Sequence, residues 1–204
     1  MIVLVRHGRT EANARGLLLG RADPPLDDEG RRQAGCLVAG LTGLEPVRIV
    51  VSPLDRCRAT ADAIAAGLRD AGGPCLDVEV DERWIELDYG ALDGVRLADL
   101  PSASWTRWRS DVGWAPEGGE SLAALGVRVR EACQSLAGPA ADGDVVVVTH
   151  VSPIKAAVAW ALGVGDEVAW RMWVAPGSIT RVGVVAGVPT LRSFNELAHL
   201  APSA

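Results

Sequence analysis

Two short apolar runs constrain this chain most: Ile2-Val3-Leu4-Val5 and Val145-Val146-Val147-Val148-Thr149. Neither alternates polar with apolar residues, and both are too short for a buried helix, so each reads as a strand covered on both faces. Such strands belong to sheets flanked by helices. The expected class is therefore α/β with a mostly parallel central sheet.

The rest of the chain alternates strand and helix in keeping with this. Residues 12–25 read as a loop, because the paired prolines Pro24 and Pro25 exclude a helix. Asp27 then caps a helix whose Ala34, Leu37, Val38 and Leu41 form one apolar stripe, with Gly43 as its stop. Residues 48–51 read as a second strand leaving through Ser52-Pro53-Leu54. From Asp55 a helix carries Ala61, Ile64, Ala65 and Leu68 on one face. Residues 76–80 read as a third strand, and 83–87 either extend the sheet or form a short connection. A partly helical cover is expected around 95–120, followed by a helix capped by Ser121 with Leu122, Leu125, Val129 and Cys133 at helical spacing. The Val145 strand ends in His150, a helix is expected over 153–162, and residues 179–185 and 188–194 read as a hairpin turning at Ala186-Gly187.

These strands matter for where they end. The first exits into Arg6-His7-Gly8, the second into Ser52 to Arg56, the third and its extension into Glu86, and the Val145 strand into His150. In a parallel sheet all four exits share one edge, where ligands gather. Two guanidiniums in a fixed fork suit a phosphate dianion. His7, kept neutral by Arg6 and Arg56, reads as a nucleophile that attacks phosphorus through one ring nitrogen while the other donates to a carbonyl. His150 reads as a donor to the equatorial oxygens. Glu86 reads as the acid for the leaving oxygen and then the base for water, and Gly8 as a place where backbone N–H groups approach the phosphate. No metal or cofactor is called for.

Composition narrows the partners. With 204 residues the chain suits one domain, 1–204, and its net charge of −6 disfavours nucleic acid and anionic membrane surfaces. Cys36, Cys57, Cys75 and Cys133 form no C-x-x-C pair and read as lone core thiols, and three histidines leave little scope for zinc. The first apolar run stops at Arg6, too short for a signal peptide or a membrane span, so a cytoplasmic location is expected.

With these residues assembled, the chain resembles the histidine phosphatase superfamily, also called the phosphoglycerate mutase-like family. The resemblance is carried by Arg6-His7-Gly8-Arg9-Thr10-Glu11-Ala12-Asn13, by residues 20–34, by Ser52-Pro53-Leu54-Asp55-Arg56-Cys57-Arg58-Ala59-Thr60, by Glu86 with Gly90 and Gly94, by Gly118-Gly119-Glu120-Ser121, by Thr149-His150, and by Asn195 with His199-Leu200. It implies a three-layer α/β/α sandwich, a phosphohistidine at His7, a phosphate pocket of Arg6, Arg56 and His150 helped by Asn13, and Glu86 as proton donor rather than the nearby Glu82 or Asp88. It also implies a small phosphorylated substrate. Chains of this length resemble the small-metabolite phosphatases of the family, such as α-ribazole phosphatase and glucosyl-3-phosphoglycerate phosphatase, more than its longer glycolytic mutases. A cofactor-dependent phosphoglycerate mutase and a non-catalytic phospho-ligand or partner-binding module remain the alternatives.

One position departs from the family pattern: Val151 follows His150 where glycine is usual, and valine cannot easily take a positive φ, so that turn is expected to run differently. His199 reads as a tether for the C-terminal tail. Lys155 reads equally as a solvated helix residue or a substrate contact. Trp105 and Trp108, three apart, either face the core or wall the pocket. Trp160, Trp170 and Trp173 read as core or dimer packing, which leaves room for a homodimer.

Overall fold

The computed structural model describes residues 1–201. Its centre is a six-stranded sheet of β1 (Ile2–Arg6), β2 (Pro46–Val51), β3 (Val78–Val80), β4 (Asp144–Thr149), β5 (Ile179–Val185) and β6 (Val188–Glu196), in the order β3-β2-β4-β1-β5-β6. β1, β4, β2 and β3 pair in parallel, while β5 runs antiparallel to β1 and β6 to β5. The two apolar runs thus lie side by side at the middle of the sheet, Ile2 opposite Val145 and Val5 opposite Val148.

Because successive side chains point to opposite faces, each run feeds both cores. Ile2, Leu4, Val145 and Val147 pack toward α5 (Leu122–Ala137) and α7 (Val151–Leu162), where Leu125, Val129 and Ile154 meet them. Val3, Val5, Val146 and Val148 pack toward α2 (Asp28–Gly40) and α3 (Asp55–Asp70), against Leu37, Ala61 and Ile64. The result is the mostly parallel α/β/α arrangement expected. Asp27 and Ser121 cap α2 and α5 as their positions foretell, accepting from Gly30 and Ala124 backbone N–H groups. Ala186 and Gly187 both have positive φ, as a two-residue hairpin turn requires.

Several expectations are corrected. The third strand covers 78–80 rather than 76–80, and 83–87 does not extend the sheet: Glu82–Trp84 is a single 3₁₀ turn that buries Trp84. A one-turn helix, α1 (Glu11–Ala14), runs into the stretch 12–25, held by a reciprocal capping box between Thr10 and Asn13. A further short helix, α6 (Pro139–Asp142), precedes β4. α7 begins at Val151, two residues earlier than expected, with His150 as its extended N-cap at φ −124°. Val151 therefore needs no positive φ, because the helix starts immediately and Pro153 still falls in its first turn. Only Cys57 and Cys133 of the four thiols are buried; Cys36 is half-buried and Cys75 exposed. Among the described residues, no helix is long and apolar enough to cross a membrane.

The cover is organised by α4 (Ser102–Ser110), which lays Trp105 and Trp108 against Trp170 with ring centroids 5.4 Å apart in each case. Trp108 is fully buried and also meets Tyr89 and Trp114 edge to face. Trp173, by contrast, is 67 % exposed, so it is not a core residue.

Candidate active site

β1 ends at Arg6, and the chain is still tied down as it leaves. His7 N–H donates to the Thr149 carbonyl at 3.0 Å, Arg6 N–H to Ser178 at 3.0 Å, and Gly177 N–H to the carbonyls of both Arg6 and His7 at 3.1 Å. The His7 ring is buried, with Nδ1 2.7 Å from the Gly8 carbonyl. A carbonyl only accepts, so Nδ1 carries the proton and Nε2 keeps its lone pair. Burial, then the charges of Arg6 and Arg56, hold the His7 pKa well below the ordinary imidazole value.

His150 arrives from the end of β4 and lies edge-on to His7, ring centroids 5.1 Å apart. It is fully buried, its Nε2 2.7 Å from Ser52 Oγ and 3.4 Å from Cys57 Sγ. Burial and the neighbouring Arg56, His7 and Arg6 depress its pKa too.

Arg56, in the first turn of α3, is wholly buried. Its Nη1 donates to Ala22 O at 2.7 Å and Asp23 Oδ1 at 3.2 Å, and its Nη2 to Gly20 O at 2.8 Å. The loop it grips is held from the other side by Asp93, whose carboxylate accepts the N–H groups of Gly20, Arg21 and Ala22 at 2.9–3.0 Å. Arg6 donates through Nη1 to Val174 O at 2.6 Å. In both arginines Nε is buried and meets no protein acceptor among the described residues. Two buried, unpartnered guanidinium donors whose charges both reach a neutral imidazole call for an anion.

Glu86, buried at 2 % exposure, accepts from Leu87 N–H at 2.7 Å and Ser152 N–H at 3.2 Å, both at Oε1. Oε2 receives no bond from the described residues. Its charge bears on Arg6, opposing the lowering of the Arg6 pKa by burial.

Two expected contacts differ. Gly8 N–H donates to Thr60 Oγ1 at 3.1 Å, so it does not face an anion. Glycine is required there for another reason: a Cβ would collide with the Gly30 carbonyl, where the turn leaving β1 meets α2 backbone to backbone. Asn13 uses Oδ1 to accept Thr10 N–H at 3.1 Å and Thr10 Oγ1 at 3.0 Å, which leaves only its amide N–H₂ for a ligand. His199 Nε2 lies 2.9 Å from the Gly177 carbonyl and so tethers the tail as expected.

Sequence reasoning missed Arg128. From α5 its Nη1 donates to the carbonyls of Arg83 at 2.7 Å and Ile85 at 2.8 Å, and its Nη2 to Glu86 O at 3.2 Å. Glu120 holds it in a bidentate pair, both bonds at 2.8 Å. The only advance signal was Glu120 in the Gly118-Gly119-Glu120-Ser121 motif, whose partner is not readable from spacing.

The family model described as histidine phosphatase superfamily (branch 1) matches residues 2–197. A bifunctional protein of Mycobacterium tuberculosis is 32 % identical over 98 % of this chain and 54 % of its own length, so the chain spans about half of that relative. A glucosyl-3-phosphoglycerate phosphatase of Mycolicibacterium vanbaalenii is 34 % identical over 79 % of this chain and 74 % of its own. Among solved structures, the phosphoserine phosphatase of Entamoeba histolytica in complex with 3-phosphoglyceric acid superposes with a TM-score of 0.87, at 26 % identity and 98 % coverage of both chains.

Proposed function

Because this chain belongs to branch 1 of the histidine phosphatase superfamily, we propose that it is a phosphomonoesterase acting on a small phosphorylated metabolite through a phosphohistidine at His7. The observation that carries the reading is the contact of His7 with His150, at 5.1 Å between ring centroids, beside two arginines whose buried Nε groups have no acceptor among the described residues.

In this reading the phosphoryl group lies against His7 Nε2, beside the paired rings, its oxygens taking the Nε–H groups of Arg6 and Arg56. His7 Nε2 attacks phosphorus in line, forming an N–P bond as the ester P–O bond breaks. The leaving oxygen takes a proton from Glu86, and Glu86 then takes one from the water whose oxygen attacks phosphohistidine, returning inorganic phosphate and free His7. Glu86 Oε1 is occupied by two backbone N–H groups, so Oε2 is the atom that moves the proton. Fixed positive charge stabilises the charge-spread transition state without reorganisation.

The test is acid-quenched labelling with a ³²P-phosphomonoester, alongside measured release of inorganic phosphate. Stoichiometric acid-labile label with rapid phosphate release, and no bisphosphoglycerate requirement, is expected. Phosphoryl transfer to phosphoglycerate in place of release would replace this reading with a mutase, and absence of turnover with a binding module.

A further inference from the structure

Beside Glu86 opens a cavity of about 430 Å³. Leu87 and Ser152, whose N–H groups hold Glu86, line it, and the rest of the wall is largely apolar, with four tryptophans among it: Trp105, Trp108, Trp170 and the exposed Trp173. Among the described residues only two charged side chains line it, and both are cations. Arg109 sits over the Trp105 ring at 5.7 Å. Lys155 projects from α7 one turn beyond Ser152, half-buried, and makes no hydrogen bond or ion pair with any described residue.

A surface lysine keeps its ammonium in water, but this one stands in an apolar cavity without a counter-ion. Burial lowers its pKa, Glu86 opposes that shift and Arg6 adds to it, so Lys155 shares the field of the phosphate site. A ligand carrying its own negative charge would relieve the arrangement.

Resting on the phosphatase reading, we propose that this cavity receives the leaving group and that Lys155 binds an anionic group carried by it. The substrate class is then a phosphomonoester of an aromatic or otherwise apolar alcohol bearing a second anion, a carboxylate above all. The tryptophans take the flat apolar body, and Lys155 selects against neutral leaving groups.

The test uses phenyl phosphate against 3- and 4-carboxyphenyl phosphate, with wild type, Lys155→Met and Lys155→Arg, each variant checked by thermal unfolding. In wild type the better carboxylated ester is favoured in kcat/KM. In Lys155→Met that preference falls at least tenfold, mainly through KM, and Lys155→Arg restores it. As a check independent of any variant, 4-hydroxybenzoate inhibits wild type at a concentration at least tenfold below phenol. Turnover of all three esters with the same preference in Lys155→Met, or equal inhibition by 4-hydroxybenzoate and phenol, overturns the proposal and leaves the phosphatase standing. Failure of wild type to hydrolyse any of the esters removes the phosphatase reading, and this proposal with it.

Discussion

The rings of His7 and His150 meet edge to face, centroids 5.1 Å apart at 64°, although the two residues leave different strands. The contact exists because β1 and β4 are parallel neighbours in exact register, Arg6 opposite Thr149, so the next residue of each chain lies at the same edge. His7→Ala should abolish both turnover and acid-labile labelling, since no other buried imidazole has its Nε2 free: His150 Nε2 is already at Ser52 Oγ. Rapid-quench labelling of wild type and variant decides it, and label retained in His7→Ala would move the nucleophile elsewhere.

Both rings are buried with depressed pKa values, and the consequence for stability has a definite sign. The unfolded chain takes up protons on these imidazoles below about pH 6.5, the ordinary value, while the folded chain does not. Stability is thus fully present above that pH and falls as the solution is acidified through it, by up to about 1.4 kcal/mol per pH unit for each ring. Asp81, where the Arg83 hydrogen bonds outweigh the effect of burial, adds a loss only at lower pH, beneath its ordinary 3.8. Calorimetry should show a flat Tm from pH 7.5 to about 6.5 and, below that, Tm falling by up to about 3–6 °C per unit for each ring, with roughly half the slope in His7→Ala. An unchanged slope in the variant would mean that His7 does not stay neutral.

Arg56→Ala should cost on the order of 10²–10³ in kcat, the usual loss for one preorganised charge donor. Arg56 also clamps the carbonyls of Gly20 and Ala22, so Tm should fall as well. Activity within a few-fold of wild type would remove Arg56 from the reaction.

Glu86→Gln keeps the shape and the acceptor for Leu87 and Ser152 but cannot give a proton. Alkyl phosphates, whose leaving oxygens need that proton, should slow by at least tenfold more than p-nitrophenyl phosphate. Equal slowing of both would point to a different acid.

What could be read in advance, and what could not, divides along a physical line. The places of Arg6, His7, Arg56 and His150 follow from strand exits, because a run such as Val145 to Thr149 has one way to lie in a parallel sheet and its end is visible in the sequence. The purpose of Gly8 was misread, since whether a missing Cβ admits a phosphate or a neighbouring helix depends on Gly30, which no local pattern connects to it. Lys155 stayed undecided because helical spacing does not reveal what Trp105 and Trp170 bring against it. Arg128 was missed for a related reason: it recognises backbone carbonyls, and carbonyls are the same in every residue.

Arg128 therefore makes the sharpest remaining test. Glu86 sits on an irregular connection with no helix or strand of its own to hold it, and Arg128 grips three of that segment's carbonyls while Glu120 fixes the guanidinium. A catalytic group displaced by about an ångström loses on the order of 10²-fold in rate. Arg128→Gln should therefore lower kcat about 10- to 100-fold with KM little changed, and should weaken the discrimination between alkyl and p-nitrophenyl esters that depends on Glu86. Glu120→Gln, which frees the guanidinium but keeps its carbonyl bonds, should act in the same direction and less. In the double variant the losses should fall short of additive, because both residues serve one clamp. If Arg128→Gln lowers only Tm and leaves leaving-group discrimination intact, the clamp holds the fold and not the acid.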